Sequence, residues 1–320
     1  MELMARFLER YLHFAPTNTE PPGTLIWFLG HSYKIEDSQW PEKFLYDSFS
    51  LITITYRSGI EGLENMTSDT GWGCMIRSTQ TLLANCLRIC YPEKQLKEIL
   101  ALFADEPSAP FSIHQFVTMG KTLCDINPGQ WFGPTTSCSC VARLSDQNPD
   151  VPLHVYVARN GNAIYRDQLS KVSFPVLLLI PTRLGIDSIN ESYYDQLLQV
   201  FEIRSFVGIT GGRPRSAHYF YARQNQYFFY LDPHCTHFAH TTTQPASEET
   251  FHSATLRRVA IQDLDPCMIF GFLIRDEEEW HSFEANQKYF ADIVQIFDSE
   301  PQPVETHDDF VLDENVEDHL

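Results

Sequence analysis

The chain contains 320 residues, of which 43% are hydrophobic and 13% are aromatic. This composition supplies enough apolar surface for a sizeable core and excludes a disordered or fibrous protein. Its 42 acidic and 23 basic residues give a formal net charge of -19, the wrong sign for a surface that binds nucleic acid phosphates. We therefore expect a globular protein that has no nucleic acid partner.

The sequence indicates neither a membrane span nor a disulfide framework. Its longest apolar run, residues 176–180, has the length of a buried strand and is far shorter than the ~20 residues that cross a bilayer. Residues 1–14 follow an amphipathic helix pattern and lack the uninterrupted apolar core of a signal peptide. The eight cysteines show no repeated pairing pattern, which is typical of reduced thiols. These features predict a cytoplasmic protein.

The residue patterns predict a series of helices and strands. In chain order these are a helix over 1–14, strands over 25–29 and 49–56, a loop over 59–73, helices over 74–90, 95–103 and 113–119, a loop over 128–134, strands over 153–158 and 176–181, a helix over 193–201, strands over 206–209, 217–222, 227–231 and 268–274, and a helix over 277–296. Gly211 and Gly212 are predicted to form a turn or flexible loop. Because helices dominate the first half and strands the second, we expect an α+β fold.

The end of the chain differs in composition from the rest. Residues 298–320 contain nine acidic residues and two prolines but neither lysine nor arginine. Such a composition is typical of a disordered, solvated tail. We therefore divide the chain into a globular part, residues 1–297, and an acidic tail, residues 298–320.

Cys74 differs from the other cysteines because it falls at the predicted N-terminus of a helix. A helix N-terminus carries a partial positive charge that stabilises a thiolate, the reactive form of cysteine. The flanking Gly71 and Gly73 leave the backbone free to approach a substrate carbonyl, so the Cys74 amide can donate to a developing oxyanion. These features favour a nucleophile, and the structural alternative is a buried cysteine at a helix end.

A base for such a nucleophile must come from a distant part of the chain. The best candidate is Asp232-Pro233-His234, in which Pro233 favours an extended conformation at Asp232. In an extended chain, residues i and i+2 point to the same side, so Asp232 can hold His234 in the tautomer that a base requires. The alternative is an ordinary turn at the end of a strand.

Four potential zinc ligands lie close together, namely His234, Cys235, His237 and His240. Imidazole and thiolate suit zinc, but the spacing lacks the paired form of a structural site. A zinc-dependent protein is kept as an alternative hypothesis, while the favoured interpretation requires no metal or other cofactor. Three further histidines have apolar neighbours in sequence and are expected in the core: His114, His154 and His218.

Three sequence segments carry a family resemblance. They are Thr-Ser-Asp-Thr-Gly-Trp-Gly-Cys-Met at 67–75, Gly-Arg-Pro-Arg-Ser-Ala-His-Tyr at 212–219 and Leu-Asp-Pro-His at 231–234. Together they resemble the autophagins, the autophagy-related cysteine proteases with a papain-like fold. Further similarity at 26–30, 112–115, 129–134 and 243–246 extends the resemblance over residues 25–275. The run that ends in Gly-Trp-Gly-Cys-Met is highly specific.

The resemblance implies a papain-like α+β fold, with residues 1–297 as the protease domain and a small auxiliary subdomain roughly within 108–185. It also implies roles for individual residues. Cys74 would be the nucleophile, His234 the general acid and base, and Asp232 the residue that orients His234. Tyr56 would donate its hydroxyl to the oxyanion hole beside the Cys74 amide.

A mobile loop over the active site is a further implication of the resemblance. This gating loop corresponds to Gly212, Arg213, Pro214, Arg215 and Ser216. Gly211 and Gly212 would be its hinge, and Trp72 would close the substrate channel together with the loop. Such a channel passes only an extended chain that has no side chain at the scissile residue, which is a preference for glycine.

The implied substrate is a ubiquitin-like autophagy modifier of the GABARAP kind, cleaved after a glycine near its C-terminus. The enzyme would process the free precursor and later release the modifier from phosphatidylethanolamine, with peripheral contact to autophagic membranes through the lipidated substrate. Attack by a thiolate on an amide serves both reactions through one acyl-enzyme.

Two departures from the family pattern favour a second hypothesis. Residues 141–155 contain no tryptophan that would help to close the cleft, and Arg215 stands where a small polar residue is expected. The alternative is therefore a weakly active or inactive relative that binds and sequesters the modifier.

Overall fold

A computed structural model describes residues 2–14, 18–37, 39–213 and 216–301. Its α-helices are α1 (Glu2–Phe14), α2 (Glu42–Ser50), α3 (Cys74–Cys90), α4 (Leu96–Ala101), α5 (Ile113–Cys124), α6 (Pro134–Gln147), α7 (Arg166–Leu169), α8 (Tyr194–Gln199) and α9 (Glu277–Asn286). Its strands are β1 (Leu25–Phe28), β2 (His31–Lys34), β3 (Tyr56–Leu63), β4 (Met66–Ser68), β5 (His154–Val157), β6 (Ala163–Tyr165), β7 (Val176–Arg183), β8 (Phe206–Arg213), β9 (Ser216–Gln224), β10 (Tyr227–Leu231), β11 (Thr236–Phe238), β12 (Arg257–Ala260), β13 (Cys267–Ile274) and β14 (Gln295–Phe297). Among these helices, none is both long and apolar enough to cross a membrane.

A large, mostly antiparallel sheet forms the centre of the fold. Its strands follow the order β12-β10-β9-β8-β13-β7-β5. In addition, β1 pairs with the C-terminal residues of β9, and β2 pairs with β1. β7 and β13 are almost uninterrupted apolar runs and are buried nearly throughout, as expected for strands covered on both faces. A smaller sheet, in the order β11-β3-β4, lies outside this core sheet.

Helix α3 packs against β8 and β9 and carries Cys74 as its first residue. All its residues from Cys74 to Leu87 are buried, although several of them are polar. Arg77, Thr81 and Asn85 are spaced by four residues and therefore share one face of the helix. Because they are removed from water, these side chains need hydrogen-bond partners inside the protein.

The polar face of α3 holds the extended segment that leads into β3. Asn85 accepts a hydrogen bond from the Ile52 amide at 3.0 Å and donates to the Ile52 carbonyl oxygen at 2.9 Å. Thr81 accepts from the Ile54 amide at 2.9 Å. The helix side chains thus replace the neighbouring strand that residues 51–55 lack.

Arg77 lies between two buried carboxylates. Its Nε is 2.5 Å from Asp69 Oδ2, and its terminal nitrogen is 2.8 Å from Asp105 Oδ1. Asp69 also accepts from the Arg57 amide at 2.7 Å, and its carbonyl oxygen accepts from the Gly73 amide at 2.9 Å. The network therefore fixes β3 and the loop before Cys74 relative to α3.

Several predicted elements are confirmed to within one residue: the helices at 1–14 and 74–90 and the strands at 25–29, 227–231 and 268–274. The strand predicted over 49–56 is wrong, because residues 49–50 end α2 and residues 51–55 bond to α3 side chains. The loop predicted over 59–73 instead contains most of β3 and all of β4, which form a hairpin. The helix predicted over 277–296 ends at Asn286, and β14 follows it.

The turn predicted at Gly211 and Gly212 is also wrong, because both residues belong to β8. Their φ angles are +156° and +138°, which side chains rarely allow. A Cβ atom on Gly211 would lie 2.8 Å from the Cys267 carbonyl oxygen, and one on Gly212 would lie 2.7 Å from that of Ser216. These glycines are thus required by close strand packing within the sheet.

Replacement of Arg77 by methionine should destabilise the protein strongly, because it leaves two buried carboxylates without their cation. We expect a loss of about 3–5 kcal/mol in the free energy of unfolding, measured by urea denaturation. Lys121→Met is the matched control, since it breaks the exposed Lys121–Asp125 pair, and should cost less than about 1 kcal/mol. Equal losses for the two variants would contradict this account of the network.

Candidate active site

The predicted catalytic residues come together although they are far apart in sequence. Cys74 begins α3, Tyr56 begins β3, and residues 232–234 follow the end of β10. The Tyr56 amide donates to the Pro233 carbonyl oxygen at 2.9 Å, and β11 then runs parallel to β3. Backbone pairing therefore fixes the Asp-Pro-His segment beside the strand that carries Tyr56.

The side chains of Asp232 and His234 are hydrogen-bonded to each other. His234 Nδ1 lies 2.6 Å from Asp232 Oδ1, and the His234 amide donates to the same oxygen at 3.1 Å. The contact forms across a turn at residues 233–234, whereas the sequence predicted an extended segment. Because Nδ1 is engaged by Asp232, Nε2 is the nitrogen left available to Cys74, and it has no other hydrogen-bond partner within the described part of the chain.

The electrostatics of this site favour a thiolate and an imidazolium. Burial raises the pKa of the Cys74 thiol, but its interactions with His234 and the Ala217 amide, together with the charge of His234, lower it below 9.0. Burial lowers the pKa of His234, but the hydrogen bond to Asp232 and the neighbouring Cys74 raise it to about 9. Burial likewise raises the pKa of Asp232, but His234 and His218 bring it down to about 2.

Tyr56 lies beside the same sulfur atom. Its phenol and the Cys74 thiol influence each other's pKa, and its ring meets the His234 ring edge-on with the centroids 5.3 Å apart. Burial and the charge of Cys74 raise the pKa of the Tyr56 phenol, so its hydroxyl keeps the proton and can donate. The Cys74 amide is the first of α3 and has no helical acceptor. Two donors are thus available to a negatively charged oxygen near the sulfur.

Two tryptophans line a cleft beside the loop that precedes Cys74. Trp72 is 7% exposed, and its Nε1 donates to the Ser68 carbonyl oxygen at 3.2 Å. Trp131 lies in the loop before α6 and lines the same cleft. The remaining lining residues are Gly71, Ile126, Gly129 and Gln130. A second tryptophan was expected within residues 141–155, which contain none, whereas Trp131 of the matching segment 129–134 lies at the cleft.

Cys74 itself has no exposed surface. Ala217, the second residue of β9, directs its amide at the sulfur, and Ser216 pairs with Arg213 at the end of the β8–β9 hairpin. Of the other predicted gating residues, Pro214 and Arg215 lie outside the described residues, and only the backbone of Arg213 is described. A substrate carbonyl can reach the sulfur only after the groups that cover it have moved.

His218 is a site residue that the sequence analysis assigned to the core. Its Nε2 is 3.7 Å from Asp232 Oδ1, and its ring centroid is 5.2 Å from that of His234. Arg257 approaches the other Asp232 oxygen at 3.5 Å, so the carboxylate lies among cationic groups. The core prediction is confirmed for His114, which is buried, and is wrong for His154, which is exposed.

The proposed zinc cluster is not formed. Among the described residues, the ligand atoms that lie within 4.8 Å of one another belong to His218, Asp232 and His234. His240 instead accepts a hydrogen bond from the Ala246 amide through Nδ1, at 3.1 Å. The four residues that are close in sequence therefore do not converge on one point, because they are spread along the extended strand β11 and the residues on either side of it.

Comparison with known proteins decides the family. A family model described as the Peptidase C54 catalytic domain matches residues 41–286. The chain belongs to the peptidase C54 family, the autophagins. Their cysteine protease activity and papain-like α+β fold agree with the mixed sheet and helices described above.

Curated relatives match over most of the chain. The cysteine protease atg4 of Emericella nidulans is 38% identical, with 84% of this chain and 84% of that protein covered. The probable cysteine protease atg4 of Aspergillus niger is 36% identical, with 83% and 84% covered. That of Penicillium rubens is 34% identical, with 96% and 94% covered. The chain is thus an autophagy-related cysteine protease.

Replacement of Asp232 by asparagine should lower the pKa of His234 from about 9 toward its ordinary value of 6.5, because the carboxylate is a main cause of the raised value. The ring can be followed by NMR titration of histidine-labelled protein. Asp125→Asn removes an exposed carboxylate elsewhere and should leave the titration unchanged. An unaltered His234 titration in Asp232→Asn would mean that the carboxylate does not set the charge of the ring.

Proposed function

We propose that this chain is a thiol endopeptidase in which Cys74 is the nucleophile, His234 the general acid and base, and Asp232 the residue that orients His234. One observation carries the proposal. Cys74, at the N-terminus of α3, interacts with His234, whose Nδ1 lies 2.6 Å from Asp232. Thiolate and imidazolium at neutral pH are the protonation states that nucleophilic catalysis by cysteine requires.

The reaction proceeds through two acyl transfers. The Cys74 thiolate attacks the scissile carbonyl carbon, and the oxygen that becomes negative accepts hydrogen bonds from the Cys74 amide and the Tyr56 hydroxyl. The C–N bond then breaks as His234 gives its Nε2 proton to the leaving amine, which leaves a thioester on Cys74. Neutral His234 next removes a proton from water, which attacks the thioester and releases the carboxylate product.

The proposed substrate is a ubiquitin-like autophagy modifier of the GABARAP kind, cut after a glycine near its C-terminus. The family supports this assignment, and the cleft that Trp72 and Trp131 line, beside the loop that precedes Cys74, would hold the extended chain of the substrate. The protein's net charge of -19 suits a substrate with basic patches. Gly212 to Ser216 would act as the gate over Cys74, which is covered in the described arrangement.

The same chemistry would also release the modifier from phosphatidylethanolamine, since the lipid is attached to the glycine carbonyl through an amide. The protein would then act in the cytoplasm and meet autophagic membranes through the lipidated substrate. In this proposal, residues 1–297 form the protease domain, with a small auxiliary subdomain roughly within 108–185, and residues 298–320 form the acidic tail.

The direct test is cleavage of a GABARAP-type modifier that carries a C-terminal extension, followed by mass spectrometry. Cys74→Ala should bind the substrate without cutting it, while Cys124→Ala, which removes an exposed cysteine, should retain full activity.

Tyr56→Phe should lower kcat by roughly 10²–10³, the cost of one oxyanion donor. Binding without cleavage by the unmodified protein would favour the sequestering alternative, and cleavage by Cys74→Ala would remove the thiol mechanism.

The pH dependence of kcat/KM should be bell-shaped. On the acid side activity falls as the Cys74 thiolate becomes protonated, and this limb lies below 9.0 because the thiol pKa is lowered. On the alkaline side activity falls through about pH 9, where His234 loses the proton that the leaving amine needs. Substrate binding to Cys74→Ala, measured over the same range, separates effects on chemistry from effects on binding. Activity that continues to rise above pH 9 would argue against His234 as the acid.

A further inference from the structure

A cavity of about 370 Å³ lies at the opposite end of α3 from Cys74. Ile89 lines it, 15 residues after Cys74, which corresponds to about 22 Å along the helix. The cavity shares no lining residue with the cleft of Trp72 and Trp131. Nothing in the proposed peptidase mechanism uses this cavity.

The cavity combines apolar walls with an arginine rim. Its apolar lining comes from Phe28, Leu29, Leu51, Ile89, Phe206, Val207 and Leu273. Ile89 is 40% exposed there, which is unusual for a large aliphatic residue on the central helix. Arg88, Arg204 and Arg275 lie around the apolar part. Such a surface fits an apolar segment flanked by acidic residues.

Two of the three arginines have no acidic partner among the described residues. Arg275 is paired with Glu279, whereas Arg88 bonds to the Ser50 carbonyl oxygen and the Arg204 side chain has no hydrogen bond or ion pair with the residues that the structure describes. The other lining carboxylate, Asp47, is already held by Lys43 and Tyr33. The rim therefore offers unpaired positive charge in a protein whose net charge is -19.

The wall of the cavity also contains an unsatisfied polar group. The Ser205 hydroxyl oxygen is buried and has no hydrogen-bond partner within the described part of the chain. Ser205 lines both this cavity and an adjoining one that extends along α9 to Ser282 and Phe283.

The acidic tail has the matching chemistry. Phe310, Val311 and Leu312 form an apolar triplet between Asp308-Asp309 and Asp313-Glu314. The segment contains neither lysine nor arginine to oppose the arginine rim. Its apolar centre and acidic flanks are thus complementary to the apolar walls and basic rim of the cavity.

The tail also starts close to the cavity. Arg166 forms ion pairs with Glu284, which belongs to α9, and with Asp298, which begins the tail. The tail therefore starts beside the second half of α9. Glu279, which lines the cavity, is about 7.5 Å from Glu284 along the helix axis. The nine residue-to-residue steps from Pro301 to Phe310 can extend over about 30 Å, which is more than sufficient.

We propose that residues 308–314 dock intramolecularly in the cavity between the end of α3 and the start of α9, with the apolar triplet on its walls and the acidic residues on Arg88 and Arg204. Tethering makes such docking efficient, because a short flexible linker provides an effective concentration in the millimolar range. A segment whose Kd as a free peptide is below that concentration is therefore mostly bound in the intact chain.

Photo-cross-linking in the full chain tests this proposal. With p-benzoylphenylalanine in place of Phe310, irradiation of dilute protein should link the tail to peptides that contain residues 85–89, 203–207 or 273–283. Arg204→Glu should lower the yield at least about threefold, because it reverses the charge of a rim residue that supports nothing else. Lys97→Glu, an equal charge change on exposed α4, should leave the yield unchanged.

A charge swap is the second part of the cross-linking experiment. Replacement of Asp308 and Asp309 by arginine should reduce the yield in the unmodified background and restore it when combined with Arg204→Glu. Thermal unfolding of each variant shows whether the fold is intact. Cross-links on other faces, links only between chains, or a yield insensitive to Arg204→Glu would each overturn the proposal. The readout does not depend on peptidase activity, so it stands apart from the test of the active site.

Discussion

The buried ion network around Arg77 is the interaction on which the site depends. Through Asp69 it fixes the amide of Arg57, the neighbour of Tyr56, and the amide of Gly73, the neighbour of Cys74. Through Asp105 it also binds the backbone at His240, beyond β11. Both proposed oxyanion donors and the segment that follows His234 are therefore held by one charged cluster, and its burial makes their relative positions rigid.

A second constraint is the mutual dependence of Cys74, His234 and Asp232. Burial opposes the charge of each group, and only the neighbours restore it. His218 lies 3.7 Å and the Arg257 guanidinium 3.5 Å from the Asp232 carboxylate, and the pKa of Asp232 is lowered by His234 and His218. The arrangement thus converts a location that disfavours charge into one where a thiolate and an imidazolium stabilise each other, as a cysteine peptidase requires.

The sequence predicted those parts of the site that local rules govern. The position of Cys74 at the start of a helix was predicted from the helical pattern that begins there, and the Asp232–His234 pair from the close spacing of the two residues. Tyr56, by contrast, was assigned only by family resemblance. The role of Arg77 could not be read from sequence because its partners, Asp69 and Asp105, meet it only in the folded protein. The prediction of a strand over 49–56 was wrong for a related reason. Side chains of α3 form the hydrogen bonds to the backbone of residues 51–55 that a neighbouring strand would otherwise form.

The central claim is that Cys74 is a thiolate paired with an imidazolium at neutral pH. Its most direct test is the thiolate absorbance near 240 nm, measured against pH as the difference between the unmodified protein and Cys74→Ala. The account predicts that one thiolate is present at neutral pH and is lost on acidification, below the ordinary thiol value of 9.0. A difference that develops only at or above pH 9 would contradict it.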